Sequence, residues 1–227
     1  MNVLTINYNT QELTDAMILS VNKHAPGCRI YVFDNSDMEP FRNSHANVEV
    51  IDNTGCQIVN WEKWLRKFPN KYPRVGNDYG SAKHCYSVDV CFDMIPDGFV
   101  LVDSDILVKQ DISCLYDEQF AASGLIVHDK HYISIPRLAP YLCYINVPMC
   151  REHDIRYFDA NHMWKLTCDN PNRFYDTGAW FLQLIEKRNL PIKRINISEY
   201  MTHLRNGSWR DNDYKLWLNQ NKDLWTS

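Results

Sequence analysis

A chain of 227 residues, 45% hydrophobic and 23% charged, has the make-up of a globular protein with room for one large α/β domain or two small ones. The net charge of −4 excludes a general nucleic-acid binder, because phosphate backbones require surplus Lys and Arg. No apolar run approaches the span of a membrane helix, so any membrane contact is expected to be peripheral.

Val3-Leu-Thr-Ile6 predicts a first strand, followed by the polar loop Asn7-Tyr-Asn-Thr10. Thr10 is a candidate N-cap for a helix with Leu13, Met17, Leu19 and Val21 on its apolar side, ended by Ala25-Pro-Gly27. Arg29-Ile-Tyr-Val-Phe33 reads as a second buried strand that stops at Asp34-Asn-Ser-Asp37. Val48-Glu-Val-Ile51 reads as a third, ending at Asp52-Asn53. Strand, helix, strand is the pattern of a βαβ unit and a parallel sheet, whose polar strand ends can line one crevice.

Trp61, Trp64, Leu65 and Phe68 recur at helical spacing behind Asn60, a candidate cap, and predict a packed amphipathic helix. Lys63, Arg66, Lys67, Lys71 and Arg74 cluster nearby; they read as a solvated face, with attraction to an anionic lipid surface as the minor alternative. Gly76 to Gly80 is expected to be a loop, and Ser81 to Met94 a helix.

Phe99-Val-Leu-Val-Asp-Ser-Asp-Ile-Leu-Val-Lys-Gln-Asp111 is the most informative stretch. Its apolar start suits a strand buried on both faces. Side chains two apart share a face, so Asp103 and Asp105 are expected to project together from the strand's carboxyl end. Open α/β sheets bind ligands there. Two such carboxylates repel unless a cation lies between them, and hard divalent cations prefer oxygen ligands. The plainer alternative is a pair of turn carboxylates.

Later elements are fainter: a strand at Gly124–Val127, another at Tyr141–Asn146, and a last clear helix from Asp176 through Lys187. Tyr200-Met-Thr-His-Leu-Arg-Asn-Gly-Ser-Trp209 brings together an imidazole, a guanidinium and a hydroxyl that can meet phosphate oxygens. His203 with the aspartate pair makes a mixed oxygen and imidazole ligand set, which favours manganese over magnesium. Asp176 suits a helix cap or a base acting on an acceptor hydroxyl; Asp129, Asp154 and Asp159 are weaker candidates of the same kind. The eight cysteines are scattered without a CxxC pair and read as reduced thiols of a cytoplasmic protein, at most at the inner face of the membrane.

These residues resemble a family. Val3 to Asn9, the following helix and Tyr31-Val-Phe-Asp-Asn-Ser36 resemble the start of family 2 glycosyltransferases of the GT-A fold. The stretch from Phe99 to Asp111 is similar to the DxD region of that fold, with a tail closer to family 8. His203 to Trp209 resembles the late His loop of several GT-A families. The resemblance implies an α/β fold of the GT-A, Rossmann-like kind: an open mixed, mostly parallel sheet flanked by helices. It implies one GT-A domain over 1–227, with about 1–110 holding the nucleotide sugar and about 111–227 the acceptor.

Its implied function is metal-dependent transfer of a sugar from a nucleotide diphosphate sugar, with UDP as the expected nucleotide, to a saccharide or lipid-linked saccharide. Asp34 would contact the uracil or ribose, alongside Asn7 and Asn35. Asp103 would lie near the ribose and Mn2+ (or Mg2+), Asp105 and His203 would bind the metal, and Arg205 and Ser208 would approach the diphosphate. Asp176 lies where inverting members keep a base, but its neighbours Thr177 and Gly178 depart from the usual Glu-Asp pairing; a retaining reaction needs no such base. Rival readings are an Asp-dependent phosphatase with Asp103 as nucleophile, a sugar nucleotidylyltransferase, and a glycan-binding scaffold without turnover. The mid-chain position of the aspartate pair disfavours the first, and the lack of a Gly-rich basic loop after the first strand disfavours the second.

Overall fold

Short apolar runs form the strands and amphipathic segments the helices between them. The computed structural model describes residues 1–37, 39–68, 79–128, 135–165, 174–204 and 214–226. In chain order these form β1 (Asn2–Asn7), α1 (Gln11–His24), β2 (Arg29–Asp34), β3 (Val48–Asp52), α2 (Trp61–Lys67), α3 (Gly80–Met94), β4 (Phe99–Val102) and β5 (Ile106–Val108). There follow β6 (Ala122–Val127), β7 (Arg137–Ile145), α4 (Val147–Glu152), α5 (Ala179–Lys187), β8 (Ile192–Arg194), β9 (Met201–His203) and α6 (Tyr214–Gln220).

Seven strands make one open sheet in the order β3-β2-β1-β4-β7-β6-β8. The pairs β3–β2, β2–β1, β1–β4 and β6–β8 are parallel, whereas β7 runs antiparallel to both β4 and β6. The open, mixed, mostly parallel α/β sheet expected from the sequence is present. β5 does not extend β4 within this sheet. It leaves and pairs antiparallel with β9 as a separate ribbon.

β4 is buried along its whole length. Phe99 and Leu101 pack on one side with Val88 and Phe92 of α3 and Phe181 and Ile185 of α5. Val100 and Val102 pack on the other with Met17 and Val21 of α1. This alternation is why a continuous apolar run suits a central strand covered on both faces. It fixes the height at which Asp103 leaves the sheet.

Some expectations are corrected. Thr10 precedes α1, but its side chain makes no cap bond; Oγ1 donates instead to Asn7 Oδ1 at 2.8 Å. Asn60 does cap α2, accepting from Lys63 N at 2.9 Å. Asp176 does not open α5. Gly178 holds the N-cap position at φ 78°, and a Cβ there would lie 2.5 Å from the Leu138 carbonyl oxygen. β7 begins earlier than expected because Pro140 falls where the β6–β7 register shifts, between the pairs Ile126–Leu138 and Gly124–Cys143, so no ladder donor is needed. Lys187 does not end the last helix of the chain: α6 follows, with only Leu218 buried and so little apolar stripe to detect.

The basic face of α2 is partly neutralised, since Arg66 pairs with Glu62; Lys71 and Arg74 lie outside the described residues. Seven cysteines are free thiols, and Cys168 lies outside the described residues. Among the described residues no helix is long and apolar enough to cross a membrane.

Candidate functional site

Parallel pairing sets Asn7 opposite Asp34 and Asp34 opposite Asp52, so β1, β2 and β3 end together. The loops beyond them, the turn after β4 and the start of α3 enclose a crevice of about 550 Å3, within the range of ligand sites. Its lining includes Tyr8, Thr10, Asn35, Lys83, His84, Asp103, Ser104, Asp105, Arg137, Thr177 and His203.

The loops at β1 and β2 are held by a closed polar network. Asp34 is fully buried and accepts from Asn7 Nδ2 (2.8 Å), Ser36 N (3.1 Å), Ser36 Oγ (2.7 Å) and Phe41 N (2.7 Å). Asn7 also donates to Ser36 Oγ (3.0 Å), and its Oδ1 accepts from Thr10 and Thr14, both at 2.8 Å. Neither Asp34 nor Asn7 lines the crevice. The sequence expects these two side chains to contact a nucleotide; in this structure their polar atoms are engaged in shaping the loop. Asn35 does line the crevice, yet its Nδ2 donates to Ser87 Oγ and its Oδ1 accepts from Asn53 and Trp61. Tyr8 is exposed at this end; its hydroxyl donates to Asp37 at 2.8 Å and its ring faces Lys83 Nζ at 5.6 Å. Bonds from Asn9 and Tyr8 hold the Asp37 carboxyl below the usual carboxylate range.

The turn after β4 is built differently. Asp103 N donates to Tyr141 O (3.1 Å), tying the turn to β7, and Ile106 N donates to Asp103 O (3.2 Å). The register of β5 on β9 places Ile106 opposite His203, and Leu204 N donates to Asp105 O (3.1 Å). His203 Nε2 thereby comes within 3.4 Å of Asp105 Oδ1, with its ring 4.9 Å from that of Tyr141. The late His and Asp105, far apart in sequence, thus meet in space.

A second imidazole, His84, approaches from α3, its Nε2 3.7 Å from Asp103 Oδ1. Burial, and then the charge of Asp105, push the Asp103 carboxyl well above its ordinary value; Arg137 opposes the shift. Burial lowers His84 to about 4, so its ring is neutral near pH 7. The acidic and imidazole groups stand as two pairs, His203–Asp105 and His84–Asp103. Among the described residues no three of His, Cys, Asp and Glu converge into a closed metal site.

Asp176 is not among the residues lining the crevice. It forms an ion pair through Oδ2 with Arg137 Nη1, and its Oδ1 accepts from Thr177 N at 2.7 Å. Arg137 is what reaches the crevice from that side, with Nε buried and lacking a hydrogen-bond partner. Of the weaker candidates, Asp159 pairs with His162 at 2.8 Å, Asp154 is exposed, and Asp129 lies outside the described residues. Arg205 and Ser208 also lie outside them. Tyr8, Lys83, His84 and Arg137 were missed by sequence reasoning. Lys83 and His84 carried no signal beyond their helix, and Arg137 carried none beyond its place near a predicted strand.

No protein-family model matches the sequence, and no curated protein sequence matches it significantly. Among solved structures it is similar to the galactosyltransferase LgtC in complex with donor and acceptor sugar analogues, at 15% identity over 87% of this chain and 74% of that one, with a TM-score of 0.48. It is similar to the glycosyltransferase GlyE of Streptococcus pneumoniae TIGR4, at 10% identity over 98% and 50% of the two chains, with a TM-score of 0.48. It is also similar to the mannosyltransferase PcManGT of Pyrobaculum calidifontis in complex with GDP-Man and Mn2+, at 11% identity over 97% and 60%, with a TM-score of 0.48. Likenesses below a TM-score of 0.5 leave the chemistry to be argued from this chain's own residues.

Proposed function

We propose that this protein is a glycosyltransferase of the GT-A type that uses a divalent metal. In this reading it moves a sugar from a nucleotide diphosphate sugar, with UDP the expected nucleotide, to a hydroxyl of a saccharide or lipid-linked saccharide. The observation that supports the reading is that Asp103, Asp105 and His203 all line one crevice at the carboxyl end of the central strand, with His203 Nε2 3.4 Å from Asp105, and that the crevice is large enough for such a donor.

The chemistry of the donor set, two carboxylates and an imidazole lining one crevice, suits a divalent cation. Asp103 is disfavoured as an anion by burial and by Asp105, and a cation between them removes both penalties. Asp103, Asp105 and His203 would hold it, an oxygen and imidazole set suited to Mn2+ ahead of Mg2+. When bound, the metal supplies charge stabilisation to the departing diphosphate.

Asp105 and His203 are kept in place by the β5–β9 ribbon, so their geometry is set before a ligand arrives. The Tyr8 ring, exposed and lining the crevice, offers a face on which a nucleobase stacks. Arg137 and Lys83 bring positive charge to the walls against an anionic donor. Asp176, bound to Arg137, acts in this reading by orienting that guanidinium; a carboxylate committed to an ion pair is a poor base for an acceptor hydroxyl. The division into a nucleotide-sugar half, about 1–110, and an acceptor half, about 111–227, belongs to the same proposal, with His203 returning from the second half to serve the first.

Thermal shift tests the reading. UDP is expected to raise Tm only with Mn2+ present, and a panel of nucleotide sugars is expected to reveal one that is hydrolysed slowly without acceptor. Absence of any shift with uridine, guanosine or adenosine diphosphates in the presence of metal overturns it.

A further inference from the structure

Asp105 stands directly before β5, and His203 is paired opposite Ile106, so this end of the crevice takes its geometry from the β5–β9 ribbon. Each strand has three residues, and among the described residues β5 and β9 pair only with each other. A two-stranded ribbon is marginal in water and persists only when its faces are packed. One face is packed by the body of the protein. Ile106, Val108 and Met201 share a core with Met17 and Val21 of α1, and Val108 N donates to Ser20 Oγ at 3.0 Å.

The other face is covered from elsewhere in the chain. Leu107, fully buried, belongs to a separate small core with Leu13 and Ala16 of α1 and Leu218 of α6. Leu204, which follows His203 and donates its N–H to Asp105 O, packs against this cluster, as do Trp217 and Trp225. Leu218 is the one side chain that α6 buries, so the cover depends on it. Residues 214–226 are also fastened at their far end. Lys23 Nζ donates to the carbonyls of Asp223 and Thr226, each at 2.7 Å, and Trp225 Nε1 donates to Leu218 O at 3.2 Å. None of residues 214–226 lines the crevice.

We propose that residues 214–226 are a positioning element for the crevice, with Leu218 the positioning residue. By closing Leu107 and Leu204 against α1 they fix the ribbon that carries Asp105 and His203, so docking of this segment and binding of a nucleoside diphosphate favour one another. This rests on the glycosyltransferase reading above and adds to it a group that touches no substrate. Coupling of this kind is reciprocal: whatever loosens the segment weakens the ligand, and the ligand tightens the segment.

Uridine, guanosine and adenosine diphosphates, each with Mn2+, are the probes, applied to the full chain. A variant whose segment is docked a tenth of the time binds about tenfold more weakly, and Leu218→Ala is expected to show a loss of this order. Leu218→Met, which restores the volume, is expected to recover the affinity. Lys23→Met removes the outer fastening without touching the small core and is expected to weaken binding about two- to threefold. Ile155→Ala, in the core on the other side of the sheet, is the control: it is expected to lower Tm by several degrees and leave nucleotide affinity unchanged. In the wild type, nucleotide with Mn2+ is expected to slow amide exchange at Leu224, Trp225 and Thr226, whose N–H groups bond within the segment. Nucleotide binding that leaves this exchange unchanged, or Leu218→Ala and Lys23→Met variants that bind as the wild type does, overturns the role of the segment and leaves the glycosyltransferase reading standing. A wild-type chain that binds none of the three nucleotides in the presence of metal overturns both.

Discussion

The loop after β2 and the turn after β4 both bring carboxylates to the carboxyl edge of the sheet, and they treat them in opposite ways. Asp34 receives four hydrogen bonds from Asn7, Ser36 and Phe41 and is sealed from solvent. Asp103 is raised by burial and by the charge of Asp105, and faces an imidazole too distant to bond. A saturated carboxylate belongs to the framework; removing it leaves donors stranded. A carboxylate crowded by another, with an unbonded imidazole before it, is shaped for something that arrives later. In an α/β sheet the two can sit one strand apart.

The largest test of this contrast is Asp105→Ala. It is expected to abolish Mn2+-dependent UDP binding and to reduce transfer at least about a hundredfold, with stability near that of wild type, read by calorimetry and donor hydrolysis. Asp34→Ala should do the reverse. It strands one of the two Asn7 Nδ2 hydrogens and the backbone N–H groups of Ser36 and Phe41, at a cost of about 3–5 kcal/mol in urea unfolding. Where the Asp34 variant remains folded, it is expected to bind nucleotide with near-normal affinity.

A smaller effect concerns acid stability without metal. His84 takes its proton only near pH 4 in the folded chain, against an ordinary imidazole value of 6.5, so the unfolded chain binds that proton first. Its contribution is therefore complete above 6.5 and is lost as pH falls towards 4, by at most about 3 kcal/mol. His84→Gln is expected to flatten this part of the stability–pH profile, measured by urea unfolding. The smallest effect is expected from Asp103→Asn. Its carboxyl is held well above its ordinary value in the folded state, so ionisation near neutral pH costs stability. The amide is expected to raise Tm of the metal-free protein by a few degrees at pH 7 and to cancel the gain from Mn2+.

Most of the framework was legible because each signal was local. The run Phe99–Val102, the Asn60 cap and the strand–helix–strand opening all state their structure within a few residues. The aspartate pair was legible for the same reason. His203 could be singled out, but its neighbourhood with Asp105 depends on the β5–β9 register, which no short window contains. The opposite fates of Asp34 and Asp103 were not legible either, since both follow apolar strands and differ only in what other loops bring to them. His84 and Arg137 were invisible because their significance arises from tertiary placement; in sequence each is an ordinary polar residue within a helix or strand.

The ribbon of β5 and β9 has a consequence for the order of assembly. The turn that carries Asp103 and Asp105 is made early, but its partner strand arrives about a hundred residues later, and contacts of such long range form slowly. During synthesis the first βαβ units can pack before His203 has left the ribosome. Under the proposed function, the nascent half-sheet gains no help from nucleotide or metal while it folds, and ligand binding would act as a late lock on an architecture already built.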